Sequence, residues 1–301
     1  MGCTLCPRQC GADRAAGEYG ACRMPDTVYV ARAALHFFEE PPISGEKGSG
    51  TVFFAGCPLG CIYCQNRAVS RPAGAVLPGK ALSERELAAL FLRVQAAGAH
   101  NLNLVTPTHY AGHIAAALRL AKPELHIPVV YNTGGYERVE TLRLFEGLAD
   151  IYLPDFKYIS PTLSGAYSAA PDYAVHARAA IAEMYRQVGA VRTENGLMKR
   201  GLIVRHLVLP GCRADSVAVL RELAGLLPVK DFYLSLMRQY TPDFAPPEAP
   251  APLHRRLTTF EYDTVARVAE ELGFIGFFQE KESASAAYTP DFTGEGGKGL
   301  L

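Results

Sequence analysis

The chain of 301 residues has no surplus of either charge, because 30 lysines and arginines stand against 30 aspartates and glutamates. General polyanion binding draws on a basic excess that releases counterions, so that class of nucleic-acid binding is excluded. No run of about 18 apolar residues is present, which excludes a membrane-spanning helix. The first eight residues, Met1-Gly2-Cys3-Thr4-Leu5-Cys6-Pro7-Arg8, lack the apolar stretch of a secretion signal. Cys6 stands where a myristoylation motif has Ser or Thr. A Walker phosphate loop and a Gly-x-Ser-x-Gly nucleophile elbow are also missing. The expectation is a cytoplasmic protein with no membrane contact. Hydrophobic residues at 49% and charged residues at 20% suffice to bury a core, so global disorder is excluded as well.

What the chain does have is eight cysteines. A secreted miniprotein would pair them, but this chain is too long and carries no export signal. Cys3, Cys6, Cys10 and Cys22 form one group, Cys57, Cys61 and Cys64 a second, and Cys212 stands alone. Thiols two and three residues apart in a reducing compartment favour metal over disulfide. The second group follows the apolar run Thr51–Ala55 with the spacing C-x3-C-x2-C. Random placement of eight cysteines would give that spacing roughly 0.006 times per chain. Three thiolates on one tight loop suit zinc with an outside ligand or a cluster of iron and sulfide, and spacing alone leaves both open.

Around these cysteines the chain alternates short apolar runs with amphipathic stretches. Strands are expected near Val28–Ala31, Thr51–Ala55, Asn101–Val105, Val129–Tyr131, Ile151–Pro154, Leu202–Leu209, Phe232–Leu236 and Phe274–Phe278. Helices are expected over Ser83–Ala97, His113–Ala121, Glu137–Phe145, Asp172–Val188, Ser216–Leu226 and from Thr258 to Leu272. Ser83 with Glu86, and Thr258 with Glu261, have the spacing of capping boxes. Strands separated by helix-length segments imply a parallel sheet, and six or seven such units predict a full or partial α/β barrel. The expected division is a cysteine-containing segment over 1–50, an α/β barrel over 51–282 and a polar, glycine-rich tail over 283–301. The tail is read as mostly disordered, with folding over the open end of the barrel as the alternative.

The run Gly56-Cys57-Pro58-Leu59-Gly60-Cys61-Ile62-Tyr63-Cys64-Gln65-Asn66-Arg67 resembles the signature of radical S-adenosylmethionine (SAM) enzymes. Within them it is most similar to the activating enzymes of pyruvate formate-lyase and other glycyl radical enzymes. The resemblance implies a radical SAM type of barrel and a 4Fe–4S cluster on Cys57, Cys61 and Cys64, with SAM chelating the fourth iron. It implies reductive cleavage of SAM to a 5′-deoxyadenosyl radical that abstracts hydrogen from a substrate, so that the protein is an oxidoreductase. A one-electron reductant such as flavodoxin or ferredoxin and a glycyl radical enzyme are the implied partners.

Further along, the resemblance places Tyr63 near the adenine and includes Asn66 in the signature. The Gly-Gly-Glu segment that binds the SAM amino group in such enzymes is replaced here by Thr106-Pro107-Thr108-His109-Tyr110, which leaves Thr106 and Thr108 as positional candidates. Asn132-Thr133-Gly134-Gly135 is similar to the Thr-Asn-Gly element after the third strand, although Asn and Gly are also plain turn residues. Asp155-Phe156-Lys157 is similar to the Asp-x-Lys of the activating enzymes, and strand alternation points Asp155 and Lys157 the same way, as an ion pair or a shared polar site. Arg205 begins an Arg-x-x-x-x-Pro-Gly strand, where its planar fork suits the SAM carboxylate. Gln239-Tyr240 is a weaker candidate for the mouth, and Cys212 reads as a buried thiol.

The first cysteine group, with spacing C-x2-C-x3-C-x11-C, resembles the N-terminal segment of one branch of activating-enzyme-like radical SAM proteins. Four thiolates there fit a structural zinc or a second iron–sulfur cluster acting as an electron relay. Two other classes stay open from the residues alone: a non-enzymatic iron–sulfur electron-transfer module and a zinc-stabilised interaction protein.

Overall fold

The computed structural model describes residues 2–73, 76–279, 292 and 299–301. After the cysteine segment the chain forms β1 (Val28–His36), α1 (Pro41–Ser44), β2 (Ser49–Phe54), α2 (Arg67–Ser70), β3 (Lys80–Leu82) and α3 (Glu84–Ala96). Then follow β4 (Leu102–Val105), α4 (Ala111–Ala121), β5 (Val129–Thr133), α5 (Val139–Leu142), β6 (Ile151–Pro154), α6 (Pro161–Ser168) and α7 (Tyr173–Val188). The last elements are β7 (Arg192–Glu194), β8 (Leu197–Leu207), α8 (Arg213–Leu226), β9 (Tyr233–Met237), α9 (Thr259–Glu271) and β10 (Gly276–Phe278). Among these residues no helix is long and apolar enough to cross a membrane.

The strands make one ten-stranded sheet in the order β10-β9-β8-β6-β5-β4-β2-β1-β3, with β7 paired to β8. From β2 through β10 the neighbours on this path run parallel, while β1 is antiparallel to β2 and β3, and β7 to β8. The expected α/β architecture with a mostly parallel sheet is present, and the path, ending at β10 and β3, is compatible with a partial barrel. The central parallel strands β2, β5 and β6 are buried on both faces and therefore read as near-continuous apolar runs, such as Ile151-Tyr152-Leu153-Pro154. Both capping boxes form, Ser83 with Glu86 at α3 and Thr258 with Glu261 at α9.

Strand alternation builds the site. Val130, Ile151, Leu153 and Ile203 pack with Ile43 of α1 into a small apolar cluster separate from the main core. Two residues further along the same faces stand Asn132, Asp155 and Arg205. Each strand thus carries a greasy residue below and a polar one above, at the carboxyl end where parallel α/β folds converge their loops.

Several expectations change. β1 continues to His36 and pairs with two strands, so residues before 51 supply sheet as well as cysteines. The segment expected as one helix over Glu137–Phe145 is a four-residue α5 followed by a 3-10 turn, Arg143–Phe145. Most of the tail lies outside the described residues. Of its described positions, Phe292 packs edge-on against Phe53 with ring centroids 5.4 Å apart, and Leu300 donates its N–H to the Ala33 carbonyl at 2.9 Å. Those positions lie on the sheet.

Candidate functional site

The loop after β2 and the carboxyl ends of β4, β5, β6, β8 and β9 enclose a cavity of about 230 Å³. Cys57, Cys61 and Cys64 line it, together with Tyr63, Asn66, Thr106, Asn132, Thr133, Asp155, Lys157 and Arg205. Gln239 and Tyr240 line it too. Ten of the eleven non-cysteine positions singled out from the sequence are therefore brought together. Thr108 stands apart, because its hydroxyl donates to Glu137 at 2.5 Å beneath the strand ends.

Two glycines let the cysteine loop fold so tightly. Gly56 has φ +87°, and a Cβ there would lie 2.2 Å from Met24 Cγ and 2.8 Å from the Cys22 carbonyl oxygen. Gly60 has φ +65°, and its Cβ would fall on the Arg71 guanidinium. Both conformations favour glycine. Thr106, at the end of β4, also sits at φ +60°. A β-branched residue in the left-handed region is strained, and such strain is held only where surroundings impose it. Here its N–H is fixed to the Asn132 carbonyl at 2.8 Å.

Every sulfur of the loop meets hydrogen-bond donors. Ser168 Oγ donates to Cys61 Sγ at 3.0 Å and Ser70 Oγ to Cys64 Sγ at 3.4 Å. Cys57 receives backbone N–H groups of Gly60 and Leu59. Burial pushes the Cys64 thiol up to about 11, with the Cys61 thiolate adding to it, and burial likewise raises Cys57. Acidic ligand charge thus costs energy in the bare loop, and a bound cation would remove that cost. Asn66, beside the loop, keeps its Oδ1 buried with no hydrogen-bond partner. Donor-capped thiolates and an open acceptor fit a cationic metal group with a donor-bearing ligand next to it. Among the described residues, however, no three His, Cys, Asp or Glu side chains already stand at metal-ligating geometry.

The opposite wall is a partly buried ion network. Arg205 donates from Nε to Asp155 Oδ1 at 2.9 Å, from Nη2 to Asn132 Oδ1 at 2.5 Å and from Nη1 to Glu39 Oε2 at 3.4 Å. Lys157 Nζ donates to Asp155 Oδ2 at 2.6 Å. Asp155 and Lys157 are both an ion pair and part of one polar wall. Burial alone would raise Asp155, but Lys157 and Arg205 outweigh it and hold the carboxyl below its ordinary range. Burial also raises Glu39, against the pull of Arg205. Glu39, on the loop between β1 and α1, was not singled out from the sequence. Its signal was an acidic pair, Glu39-Glu40, set before Pro41-Pro42 in an otherwise apolar stretch.

The first cysteine group lies against the second. Cys57 N–H donates to the Cys22 carbonyl at 3.3 Å, and Arg71 Nη1 donates to the Ala21 carbonyl at 3.1 Å. Arg8 spans the seam, with Nε on the Pro58 carbonyl at 2.9 Å and Nη2 on those of Leu59 and Ser168 at 3.2 and 2.9 Å. Within the group, Cys3 hydrogen-bonds Cys10, and Cys22 feels the charges of both. Cys6, pushed up to about 12 by burial, feels Cys22 and Cys3. Arg14, 4% exposed, reaches Cys3 Sγ at 3.8 Å and donates to the carbonyls of Met24, Pro25 and His109. Cys212 is buried outside the cavity, 3.9 Å from Tyr167 Oη, its thiol pushed up to about 11 by burial.

The chain matches none of the models of known protein families. An uncharacterized protein of Methanocaldococcus jannaschii is 27% identical over 281 residues, covering 89% of this chain and 74% of that protein. Among solved structures, the catalytic domain of a hyperthermophilic chitinase from Pyrococcus furiosus aligns at 15% identity and a TM-score of 0.37, over 67% of this chain and 72% of that one. Catalytic-site mutants of active domain 2 of a thermostable chitinase from the same organism, complexed with chito-oligosaccharides, align at 16% identity and a TM-score of 0.38, over 68% and 73%. Likenesses at that level bear on neither fold nor activity.

Proposed function

We propose that this chain is a radical SAM enzyme whose reaction centre is the cavity beneath Cys57, Cys61 and Cys64. The observation that carries the reading is the meeting of three donor-capped sulfurs with the Asp155–Lys157–Arg205 wall in one cavity at the strand ends. When bound, a 4Fe–4S cluster supplies one electron that cleaves SAM to a 5′-deoxyadenosyl radical, which takes hydrogen from the substrate. Cys57, Cys61 and Cys64 would hold three irons. Asp155 suits the SAM ammonium as acceptor, and Lys157 and Arg205 suit the carboxylate as donors. Asn66, Asn132 and Thr106 offer amide and hydroxyl groups for ribose and methionine, Thr133 lines the cavity with its hydroxyl given to Glu137, and Tyr63 supplies an aromatic wall. Arg205 spends three of its five N–H donors on Asp155, Asn132 and Glu39, which leaves one on each Nη for a ligand carboxylate.

A glycyl radical protein is the proposed substrate and a flavodoxin- or ferredoxin-type protein the proposed reductant. The test is anaerobic reconstitution with iron and sulfide, reduction, and assay of SAM. Formation of 5′-deoxyadenosine is expected, and none from protein carrying a full cluster overturns the reading. For Cys3, Cys6, Cys10 and Cys22 the proposal is a structural metal site, supported by four thiols in mutual electrostatic range around Arg14. Metal analysis of a Cys57/Cys61/Cys64→Ala protein purified anaerobically should find one bound zinc or one small cluster per chain.

A further inference from the structure

A chain of buried hydroxyls runs from the cavity wall to one sulfur. Tyr63 Oη lies 2.5 Å from Tyr158 Oη, Tyr158 Oη 3.0 Å from Ser168 Oγ, and Ser168 Oγ 3.0 Å from Cys61 Sγ. All four side chains are buried, with Tyr158 and Ser168 each 1% exposed. A metal-bound thiolate can only accept, so Ser168 must give its one proton to Cys61. Ser168 then has only acceptor capacity for Tyr158, which must donate to it. Tyr158 in turn accepts from Tyr63. Each link polarises the next, and the low dielectric strengthens all of them.

We infer that Ser168 is a positioning residue that sets the reduction potential of the metal group on Cys61, with Tyr158 and Tyr63 holding its proton toward the sulfur. This deepens, and rests on, the radical SAM reading. A hydrogen bond to a ligand sulfur favours the reduced, more negative state, so its loss lowers the potential. The same direction of donation turns the Tyr63 proton inward and leaves its oxygen as an acceptor at the cavity.

Redox titration followed by electron paramagnetic resonance on reconstituted protein tests this. In Ser168→Ala the ratio of reduced to oxidised cluster at a fixed applied potential should fall about tenfold, which is about 59 mV for a one-electron couple. Tyr158→Phe should move it the same way by less, and it decides the matter if Ser168→Ala loses its iron. Ser164→Ala, a buried serine of the same helix whose hydroxyl bonds the Pro161 carbonyl, should leave the potential unchanged. Wild-type potential in both Ser168→Ala and Tyr158→Phe overturns the inference alone, as does an equal shift in Ser164→Ala. A wild-type protein that takes up no iron at Cys57, Cys61 and Cys64 overturns the radical SAM reading with it.

Discussion

The two cysteine groups touch through one backbone hydrogen bond, yet they are built by opposite means. Cys57, Cys61 and Cys64 sit on a loop clamped between strands and helices of the main core, and their donors include hydroxyls from α2 and α6. Cys3, Cys6, Cys10 and Cys22 lie in a segment of turns whose sulfurs are served mainly by its own backbone N–H groups and by Arg14. In the first region the fold makes the site. In the second the proposed metal would have to make the fold, because so short a stretch buries little apolar surface of its own.

The largest expected effect follows from that contrast. Cys61→Ala removes one of the three proposed iron ligands from a loop that the core still holds, so SAM cleavage should fall by more than the roughly 100-fold that loss of an outer-shell partner costs, while the melting transition of the barrel stays in place. Cys6→Ala should do the reverse, freeing residues 2–27 to proteolysis while the iron content at the central loop persists. Equal loss of central iron in both variants would erase the distinction between the regions.

Next in size are two arginines, one for each region, the buried Arg14 and the partly buried Arg205. Arg205→Met leaves Asp155 with Lys157 alone and Glu39 without its cation, which for these partly exposed groups costs less than the roughly 3–5 kcal/mol of breaking a fully buried pair. Arg14→Ala takes the side-chain donor from the Pro25 and His109 carbonyls, while Met24 keeps the Gly20 N–H, at about 1–3 kcal/mol for each unsatisfied buried group. Denaturant titration should show the first as a global loss, and hydrogen exchange should show the second confined to the N-terminal segment. A global loss from Arg14→Ala would mean the segment is part of the barrel's cooperative unit.

What could be read from the sequence divides along similar lines. Features fixed by neighbours in the chain were legible: the capping boxes, the apolar strands, and the alternation that aligns Asp155 with Lys157. The hairpin of β7 and β8 carries a local signal as well, since Asn195-Gly196, with φ +52° and +76°, is a strong two-residue turn. Ser168 and Glu39 were not, because nothing near them announces a partner more than a hundred residues away in one case and 166 in the other. Thr108 failed for the same reason: its position suggested the cavity, but Glu137, from the loop ahead of α5, claims its hydroxyl. A site's side chains can be counted from spacing, whereas their supports come from across the sheet.

Glu137 provides the smallest and most selective probe, since it lies between the two regions and feels Cys6. Burial raises its carboxyl from 4.5 to about 7, against hydroxyl donation from Thr108, Thr133 and Tyr131. A carboxyl whose folded value is raised binds more protons folded than unfolded, so its stabilisation is complete below about pH 4.5 and is lost as pH rises through about 7. The span corresponds to about 3 kcal/mol. Thermal unfolding of wild type should therefore lose stability between about pH 5 and 7.5 relative to Glu137→Gln, whose amide cannot ionise. If the loss is felt as early exposure of residues 2–27, Glu137 couples the N-terminal segment to the barrel. If both proteins follow the same pH curve, the carboxyl is not held protonated and the seam between the two cysteine regions does not depend on it.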